Sequence, residues 1–402
     1  MKVIISKSTA NGEAIAPPSK SLAHRALICG ALSQMASVEN IAFSKDITAT
    51  LNCLKAMGAC GEINGDKVKI GGLNPFDIPE NAVLDCNESG STLRFLIPLC
   101  LLSGKKVTLK GAKRLFERPL DIYEKICTEQ GILFEKTADS LTLCGKLSSG
   151  SYKIPGNISS QFITGLLFAL PMLDGVSIIE ISGDFESESY VKLTLEMLSA
   201  CGIRVVYSAN RFIIMGNQIY KPFNYTTEGD CSNAAFLDAF NHLGGSVIVN
   251  GMSAKTSQGD SVYKSIFNGL DEGIKNFDLS DCPDLAPICF ALAAAKGGAD
   301  FSGTARLRLK ESDRAQAMAE ELEKFGVKIN VEENSVKIPA CEITAPTQPL
   351  NGHNDHRIVM ALAVLSTLTG GVIEGAEAVS KSYPDFFRVI SSLNVGVDIY
   401  ED

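Results

Sequence analysis

Residues Pro17–Ser33, PPSKSLAHRALICGALS, carry the signals that decide the fold. The two opening prolines end the preceding strand, because a proline lacks an N–H group and cannot continue a helix backwards. Ser19 or Ser21 can then cap a helix that has one apolar side. Lys20 and Arg25 lie in its N-terminal turns, although a helix N-terminus already carries partial positive charge. The stretch predicts either a solvated basic turn or an anion-binding site, and its recurrence along the chain favours the site.

The composition indicates a folded protein with more than one domain. The chain has 402 residues, of which 45% are apolar and 21% charged, so two hydrophobic cores are expected. The first residues, MKVIISKST, are typical of a strand, and no apolar run suits a signal peptide or a membrane span. The 12 cysteines lack metal-ligand spacing and indicate reduced, buried thiols. We expect a cytoplasmic protein that does not bind a membrane.

The net charge of −9 argues against a nucleic-acid-binding protein. It does not exclude small anionic ligands, because a local cluster of lysines and arginines dominates the field within a Debye length. The basic clusters of the sequence are therefore the candidate sites.

Two independent markers recur with one period along the chain. The first is the polar residue that opens each apolar run, with steps of 70, 70, 71, 54 and 71 residues: Ser19, Ser89, Ser159, Asp230, Asp284 and Asp355. The second is the glycine that ends each amphipathic run, with steps of 73, 71, 71, 53 and 70 residues: Gly58, Gly131, Gly202, Gly273, Gly326 and Gly396. Because both series share the period and the short fourth step, the sequence predicts six related units.

Each unit reads as an apolar helix, a strand, an amphipathic helix and a strand–turn–strand. Six such units predict two α/β domains of three units each. We expect residues 13–225 to form one domain, and residues 1–12 with 226–402 to form the other. If the three apolar helices of a domain run parallel, their N-termini emerge on one face and form an anion site.

The motifs at these positions resemble those of the 5-enolpyruvylshikimate-3-phosphate synthase family. PPSKSLAHR, SGSTLR, ERP, SSQF, SESY, PDLAP, LKESDR, NDHR and KSYPD occur in that family's order and spacing over nearly the whole chain. The resemblance implies two inside-out α/β domains, each of three βαβαββ units, with an active-site cleft between them. It also implies transfer of the enolpyruvyl group of phosphoenolpyruvate to the 5-hydroxyl of shikimate 3-phosphate in the shikimate pathway. Phosphate would be released, and neither a metal nor an organic cofactor would be needed.

The resemblance implies a residue set for each substrate. Those expected to bind shikimate 3-phosphate are Lys20, Ser21, Arg25, Ser159, Ser160, Gln161, Ser187, Tyr190, Asp284 and Lys310. Those expected to bind phosphoenolpyruvate are Lys20, Gly90, Arg118, Gln161, Arg314, Arg357 and Lys381. Arginine suits the clamp positions, because its planar guanidinium grips carboxylate and phosphate through two hydrogen bonds. The glycine at position 90 leaves room near phosphoenolpyruvate, which implies sensitivity to glyphosate.

The resemblance also implies catalytic roles. Asp284 would accept the proton of the 5-hydroxyl, and Glu311 would serve proton transfer at the methylene carbon, with His356 and Lys20 assisting. Addition followed by elimination needs a base and an acid in reach, which agrees with two carboxylates. We expect domain closure to bring Lys20, Asp284 and Glu311 together.

The sequence differs from the pattern of the family at a few positions near the motifs. Glu88 and Ser89 precede Gly90 where some members have Asn-Ala, and Arg306 stands where some have asparagine. These differences concern single ligand contacts.

The KESDR segment, residues 310–314, predicts that its lysine, glutamate and arginine share the first turn of one helix.

Two other interpretations are kept open. A UDP-N-acetylglucosamine enolpyruvyl transferase would share the fold and chemistry. That family has a lysine–asparagine pair and a catalytic cysteine, whereas serine follows Lys20 here and no cysteine occurs between Ser103 and Pro119. A non-catalytic polyanion-binding paralogue would have no use for Asp284 and Glu311 beside its anions. We expect a monomer whose partners are small-molecule substrates.

Overall fold

The computed structural model describes residues 1–401 and divides the chain into two compact units. The central unit comprises Pro18–Glu228, and the split unit comprises Met1–Pro17 together with the residues from Gly229 onward. Both boundaries lie three to five residues later than the sequence indicates. Strand pairing explains the difference, because residues 11–15 pair with residues 246–250, and residues 224–226 pair with residues 37–39. Among the described residues, no helix is both long and apolar enough to cross a membrane.

The central unit contains seven α-helices and twelve strands among its residues. The helices are α1 (Lys20–Leu32), α2 (Lys45–Ala56), α3 (Gly90–Cys100), α4 (Lys113–Glu117), α5 (Asp121–Glu129), α6 (Ser160–Ala169) and α7 (Glu188–Ala200). The strands are β3 (Ala36–Glu39), β4 (Cys60–Asn64), β5 (Lys67–Gly71), β6 (Ala82–Asp85), β7 (Val107–Lys110), β8 (Leu133–Lys136), β9 (Ser140–Cys144), β10 (Ser151–Pro155), β11 (Val176–Ser182), β12 (Val205–Ser208), β13 (Arg211–Met215) and β14 (Asn224–Thr226).

Three four-stranded sheets of one topology form the central unit. Their strand orders are β14-β3-β5-β4, β6-β7-β9-β8 and β10-β11-β13-β12. In each sheet the first pair is parallel and the other two pairs are antiparallel. In the second and third sheets an apolar helix supplies the crossover between the parallel strands, α3 between β6 and β7 and α6 between β10 and β11. In the first sheet the parallel partner of β3 is β14, from the end of the unit. The last two strands of each sheet form a hairpin. This is the repeating unit that the 70-residue step indicates.

The split unit contains the remaining elements. Its strands are β1 (Lys2–Ile5), β2 (Asn11–Ile15), β15 (Ser246–Asn250), β16 (Asn276–Asp278), β17 (Ala299–Ser302), β18 (Asn330–Val331), β19 (Ser335–Ile338), β20 (Leu350–Asn351), β21 (Gly371–Glu374) and β22 (Val397–Tyr400). Its helices are α8 (Cys231–His242), α9 (Tyr263–Asp271), α10 (Ala286–Ala295), α11 (Arg314–Lys324), α12 (His356–Ser366) and α13 (Phe386–Ser392).

The fourth repeat is shorter than the others because it lacks the hairpin. The sheets β16-β17-β19-β18 and β20-β21-β1-β22 repeat the topology of the central unit, whereas β15 pairs only with β2. The prediction of a strand–turn–strand in every unit was therefore wrong for this repeat, which accounts for its step of 54 residues. The N-terminal residues form the expected strand as β1, and a second strand, β2, follows in another sheet of the same unit.

Most predicted helix boundaries are confirmed. The side chains of four predicted opening residues accept a backbone N–H of the following helix: Ser89, Ser159, Asp230 and Asp355. Five of the six predicted glycine stops adopt a left-handed conformation after their helix, and at the sixth Asn394 takes that role. Asp284 is an exception, because it lies in the 3-10 turn Pro283–Leu285 and α10 begins at Ala286. A proline at the second position of α10 fits only the first turn of a helix.

The apolar helices form the centre of each unit, as their sequences predict. Leu27, Phe95 and Leu166, on α1, α3 and α6, are at most 1% exposed. Burial of one such side chain stabilises a fold by about 1.5–3 kcal/mol. The site residues at the starts of these helices are therefore carried on rigid elements.

Candidate active site

The predicted site residues lie in two clusters, one in each unit. The Lys20 cluster belongs to the central unit and comprises Lys20, Ser21, Arg25, Gly90, Arg118, Ser159, Ser160, Gln161, Ser187 and Tyr190. The Asp284 cluster belongs to the split unit and comprises Asp284, Lys310, Glu311, Arg314, His356, Arg357 and Lys381.

Lys20 opens α1 and is held by a carboxylate from α2. Its Nζ lies 2.8 Å from Oδ2 of Asp46, and both side chains are largely buried. Asp46 stands in the first turn of α2, where a negative charge is favourable. The contact therefore gives the ammonium group a fixed direction at the start of α1.

Arg25 ties α1 to α7. It donates from Nε to Thr194 Oγ1 at 2.9 Å, and from Nη2 to the backbone oxygen of Tyr190 at 2.8 Å. Its Nη1 donates to the backbone oxygen of Ser21 at 2.7 Å. Burial lowers the pKa of the Arg25 guanidinium to about 10, and it stays protonated at neutral pH. Three of its five N–H groups are engaged, which leaves two for an anion.

Gln161 is oriented from two sides at the start of α6. Its Oε1 accepts from Arg94 Nη1 at 2.7 Å, and its Nε2 donates to Ser91 Oγ at 3.0 Å. Ser159 caps the same helix, with its Oγ 3.3 Å from the N–H nitrogen of Gln161, and Ser160 is buried beside it. These contacts place the starts of α3 and α6 together.

Gly90 and Arg118 approach each other closely. A Cβ built on Gly90 would lie 2.6 Å from Nη1 of Arg118, which is closer than real Cβ contacts allow. Arg118 is buried at the end of α4. A glycine is therefore required at this position if the guanidinium is to stay where it is.

Ser187 and Tyr190 open α7. Ser187 is buried and adopts a left-handed conformation with φ of 56°, which is uncommon for a residue with a Cβ. Its backbone oxygen accepts from the N–H of Tyr190 at 3.2 Å. Since such strained residues concentrate at functional sites, the geometry agrees with a place in the site.

Asp284 is surrounded by three cations. Its Oδ1 lies 3.1 Å from Lys310 Nζ and 2.8 Å from Arg314 Nη1, and its Oδ2 lies 3.5 Å from Arg357 Nη2. Burial alone would raise the pKa of this carboxyl, but the three cations outweigh it and hold the pKa well below its usual range. Asp284 is therefore ionised at neutral pH.

Arg314 connects three carboxylates and is almost fully buried. Besides Asp284, it donates from Nε to Asp355 Oδ2 at 2.9 Å and from Nη2 to Glu311 Oε2 at 2.9 Å. Burial would lower the pKa of Arg314, but the three carboxylates raise it well above its usual range. Four of its five N–H groups are engaged by these carboxylates, so an anionic ligand that takes two hydrogen bonds must replace one of them.

The KESDR segment does not form one helical turn. The helix begins at Arg314 with Asp313 as its cap, and Lys310 and Glu311 precede it. The prediction of a shared first turn was therefore wrong, because Asp313 accepts the N–H of Gln316 and fixes the helix start. Burial lowers the pKa of Lys310 below its usual range, which the nearby Asp284 partly offsets.

The other residues of the Asp284 cluster are buried around α12. Arg357 stacks over the ring of Phe236 at 5.7 Å. His356 is buried, with Nδ1 3.9 Å from Oδ1 of Asp355. Lys381 is also buried, and its Nζ donates to the backbone oxygen of Asn354 at 2.6 Å.

Sequence reasoning missed two carboxylates that hold the site cations. Asp46 pairs with Lys20, and Asp355 pairs with Arg314. Oδ1 of Asp355 also accepts the backbone N–H of Arg357 at 2.9 Å. Asp355 was recognised only as a helix opener. The sequence did indicate that a buried cation needs a carboxylate partner. Which carboxylate takes that place depends on which helices pack side by side, and the sequence does not show this.

One group outside both clusters has the geometry of metal ligands. Ligand atoms of Glu320, Glu321 and His353 lie within 4.8 Å of one another, the sole such group among residues 1–401. Lys324 Nζ lies 2.9 Å from Oε1 and 2.8 Å from Oε2 of Glu321. Glu321 therefore already has a cationic partner in Lys324.

The two α/β units, with cations and carboxylates gathered at helix starts, define an enzyme that acts on small anionic substrates. The family model of EPSP synthase (3-phosphoshikimate 1-carboxyvinyltransferase) matches residues 5–390. Relatives named 3-phosphoshikimate 1-carboxyvinyltransferase support the match. That of Clostridium kluyveri is 40% identical over 424 residues, with 98% of each chain covered. That of Clostridium perfringens is 40% identical over 417 residues, again with 98% of each chain covered. The chain belongs to the EPSP synthase family.

The fold agrees with that assignment. A solved EPSP synthase structure from Acinetobacter baumannii superposes with a TM-score of 0.78 and 20% sequence identity. The similarity covers 99% of this chain and 100% of the solved chain. It is a similarity of fold and confirms the predicted two-domain α/β class.

Proposed function

We propose that this chain transfers the enolpyruvyl group of phosphoenolpyruvate to the 5-hydroxyl of shikimate 3-phosphate and releases phosphate. Membership of the EPSP synthase family supports the reaction. The observation that carries the chemistry is the ionised Asp284 among Lys310, Arg314 and Arg357. A carboxylate beside several cations suits a site where two anions meet and a hydroxyl loses its proton.

The reaction is an addition followed by an elimination. The 5-hydroxyl oxygen bonds to C2 of phosphoenolpyruvate while its proton passes to Asp284, and C3 gains a proton to become a methyl group. The C2–O bond to phosphate then breaks, and a proton leaves the methyl group to restore the double bond. We assign the proton transfers at C3 to Glu311, with His356 and Lys20 assisting.

Binding roles follow the two clusters. Shikimate 3-phosphate is held in the Lys20 cluster by Lys20, Ser21, Arg25, Ser159, Ser160, Gln161, Ser187 and Tyr190, with Asp284 and Lys310 from the other cluster. Phosphoenolpyruvate is held by Lys20, Gly90, Arg118, Gln161, Arg314, Arg357 and Lys381. Arg25 supports its role with two remaining N–H groups, whereas Arg314 has one and must exchange a carboxylate to hold a ligand through two hydrogen bonds.

The protein is further proposed to act as a cytoplasmic monomer without a metal or organic cofactor. Sensitivity to glyphosate, which rests on Gly90, stays a prediction. Sedimentation of the purified protein tests the monomer, and a stable dimer at micromolar concentration would contradict it.

The experiment that tests the function is phosphate release from phosphoenolpyruvate with three acceptor conditions. Purified protein is assayed in the presence of a chelator with shikimate 3-phosphate, with UDP-N-acetylglucosamine and without an acceptor. We expect release that depends strictly on shikimate 3-phosphate, together with one enolpyruvyl ether formed per phosphate. Release only with the sugar nucleotide would assign the chain to the other transferase. If the folded protein releases no phosphate with either acceptor, the result would favour a non-catalytic anion binder.

A further inference from the structure

A buried chain of four polar side chains crosses the first halves of α1, α2 and α3. His24 Nδ1 lies 2.8 Å from Thr50 Oγ1, which lies 2.6 Å from Thr92 Oγ1. Thr92 Oγ1 donates in turn to Ser89 Oγ at 2.7 Å. All four residues belong to the central unit and are at most 1% exposed. The proposed reaction gives no role to this series of four hydrogen-bonded side chains.

The hydrogen bond from Thr92 to Ser89 implies a direction for the other two. A hydroxyl has one proton, and Thr92 gives its proton to Ser89. Thr50 must therefore donate to Thr92, and its own oxygen must accept from His24. It follows that His24 carries its proton on Nδ1, and that the chain runs from His24 to Ser89 without an alternative arrangement.

His24 is also confined to the neutral state. Its Nε2 is buried, and it has no hydrogen-bond partner among residues 1–401, so a proton on that atom would be left unpaired. Burial, and then the charges of Lys20 and Arg25, hold the pKa of His24 well below its usual range. Geometry and electrostatics thus favour one tautomer of an uncharged imidazole.

The chain lies directly beneath the residues that are proposed to bind phosphoenolpyruvate. His24 follows Lys20 by one helical turn on α1, and Thr50 follows Asp46 by one turn on α2. The contacts Lys20–Asp46 and His24–Thr50 therefore form two successive links between the same two helices. Through Thr92 the second link reaches α3.

The far end of the chain fixes the start of α3. Ser89 Oγ also accepts the N–H of Thr92 at 3.2 Å and so caps the helix that begins at Gly90. The clearance between Gly90 and Arg118 is so small that a Cβ would already overlap the guanidinium. A small shift of Ser89 would therefore move Gly90 into Arg118 or away from it.

We propose that His24 is a positioning residue for the phosphoenolpyruvate end of the site, acting through Thr50, Thr92 and Ser89. It sets the start of α3, and with it Gly90 and Arg118, relative to Lys20 on α1. The assignment of that end to phosphoenolpyruvate rests on the proposed function, whereas the polarity of the chain does not.

The polarity is tested on the unaltered protein by nitrogen-15 NMR of the imidazoles. The chain has four histidines, so each can be assigned by substitution of the others. We expect one histidine with a protonated Nδ1 and a bare Nε2 that does not titrate between pH 5 and pH 9. A His24 with its proton on Nε2, or one that titrates near its usual pKa of about 6.5, would overturn the proposal.

The positioning role is tested with the matched variants Thr50→Val and Thr50→Ser. Valine has the shape of threonine but neither accepts from His24 nor donates to Thr92, whereas serine keeps both bonds. We expect Thr50→Val to raise KM for phosphoenolpyruvate about tenfold while KM for shikimate 3-phosphate stays within about twofold. Thr50→Ser should stay close to the unaltered protein in both constants.

A second pair of matched variants changes His24, the first residue of the hydrogen-bonded series. His24→Asn places an amide donor close to the position of Nδ1, and His24→Leu removes the donor. We expect the asparagine variant to retain most of the affinity for phosphoenolpyruvate that the leucine variant loses.

Equal effects within either pair, or a parallel rise in KM for both substrates, would overturn the positioning role. If the valine and leucine variants fail to fold, the NMR result on the unaltered protein still decides the polarity. If the protein lacks activity with shikimate 3-phosphate, both the proposed function and the assignment of this end of the site to phosphoenolpyruvate are refuted. That outcome would leave the tautomer measurement valid.

Discussion

Nη1 of Arg314 lies 2.8 Å from Oδ1 of Asp284, and the same guanidinium holds Glu311 and Asp355. One buried cation thus spaces the two proposed acid–base carboxylates and the residue that caps α12. Arg314 and Asp355 are almost fully buried, so this pair compensates two charges that have little access to water, while Asp284 and Glu311 stay partly exposed. The cluster is therefore both a structural centre of the split unit and the proposed place of proton transfer.

Asp355→Asn should destabilise the protein by about 3–5 kcal/mol. Asp355 and Arg314 are 0% and 1% exposed, so the substitution removes the fully buried carboxylate among the three that compensate the guanidinium. The free energy of unfolding in urea measures the effect. Asp385→Asn is the matched control, because Asp385 pairs with Arg388 on the surface at 3.2 Å, and it should cost about 1 kcal/mol or less. A loss as small at Asp355 as at Asp385 would show that the buried network is not needed for folding.

Asp46→Asn should impair the reaction although Asp46 is not expected to touch either substrate. The ammonium of Lys20 would lose a charged partner at 2.8 Å, and hydrogen bonds to charged groups contribute roughly 1.5–3 kcal/mol. We expect kcat/KM for phosphoenolpyruvate to fall about tenfold or more. In the control Asp77→Asn, which breaks a surface pair with Lys105, kcat/KM should not change. Similar values for the two variants would refute the role of Asp46.

Gly90→Ala should weaken binding of phosphoenolpyruvate selectively. The new Cβ would lie 2.6 Å from Nη1 of Arg118, so the guanidinium must move away. The guanidinium is the far end of a flexible side chain and can move without unfolding the protein, but it then loses its contact with the substrate. A hydrogen bond to a charged group contributes roughly 1.5–3 kcal/mol, so KM should rise about tenfold or more. Steady-state kinetics should show this rise for phosphoenolpyruvate alone, with an unchanged melting temperature. A normal KM would mean that Arg118 does not clamp that substrate.

The stabilising effect of Asp284 should disappear in acid. Its pKa is held well below its usual range in the folded protein, whereas an unfolded aspartate titrates near about 3.9. The favourable contribution is therefore complete above the unfolded pKa and is lost as the pH falls through the folded pKa. The difference in unfolding free energy between the unaltered protein and Asp284→Asn should be constant from pH 7 to pH 5 and shrink below pH 4. A difference that does not change in acid would contradict the low pKa.

The sequence was sufficient for the parts of the fold that depend on local chemistry. Helix caps such as Ser89 and Asp355, and the left-handed glycines after the amphipathic helices, follow from side-chain hydrogen bonding and backbone sterics. The period of about 70 residues revealed the repeated unit without any knowledge of its sheets. The clusters of cations at helix starts then indicated an anion site.

What depends on tertiary neighbours could not be predicted. Asp46 and Lys20 are 26 residues apart, and nothing local shows that their helices pack side by side. The chain from His24 to Ser89 consists of ordinary helix residues until three helices bring them together. The start of α11 was misplaced because Asp313 competes as a cap with the upstream residues of KESDR. The missing hairpin of the fourth repeat was visible only as a short step.

The most direct test of the central claim is the turnover of Asp284→Asn with both substrates at saturation. Asparagine keeps the size of the side chain but cannot accept the hydroxyl proton, so kcat for phosphate release should fall by about 10²- to 10⁴-fold. Circular dichroism and the two KM values should show a folded protein that still binds its substrates. A kcat close to that of the unaltered protein would contradict the account, because the proton of the 5-hydroxyl would then have another acceptor.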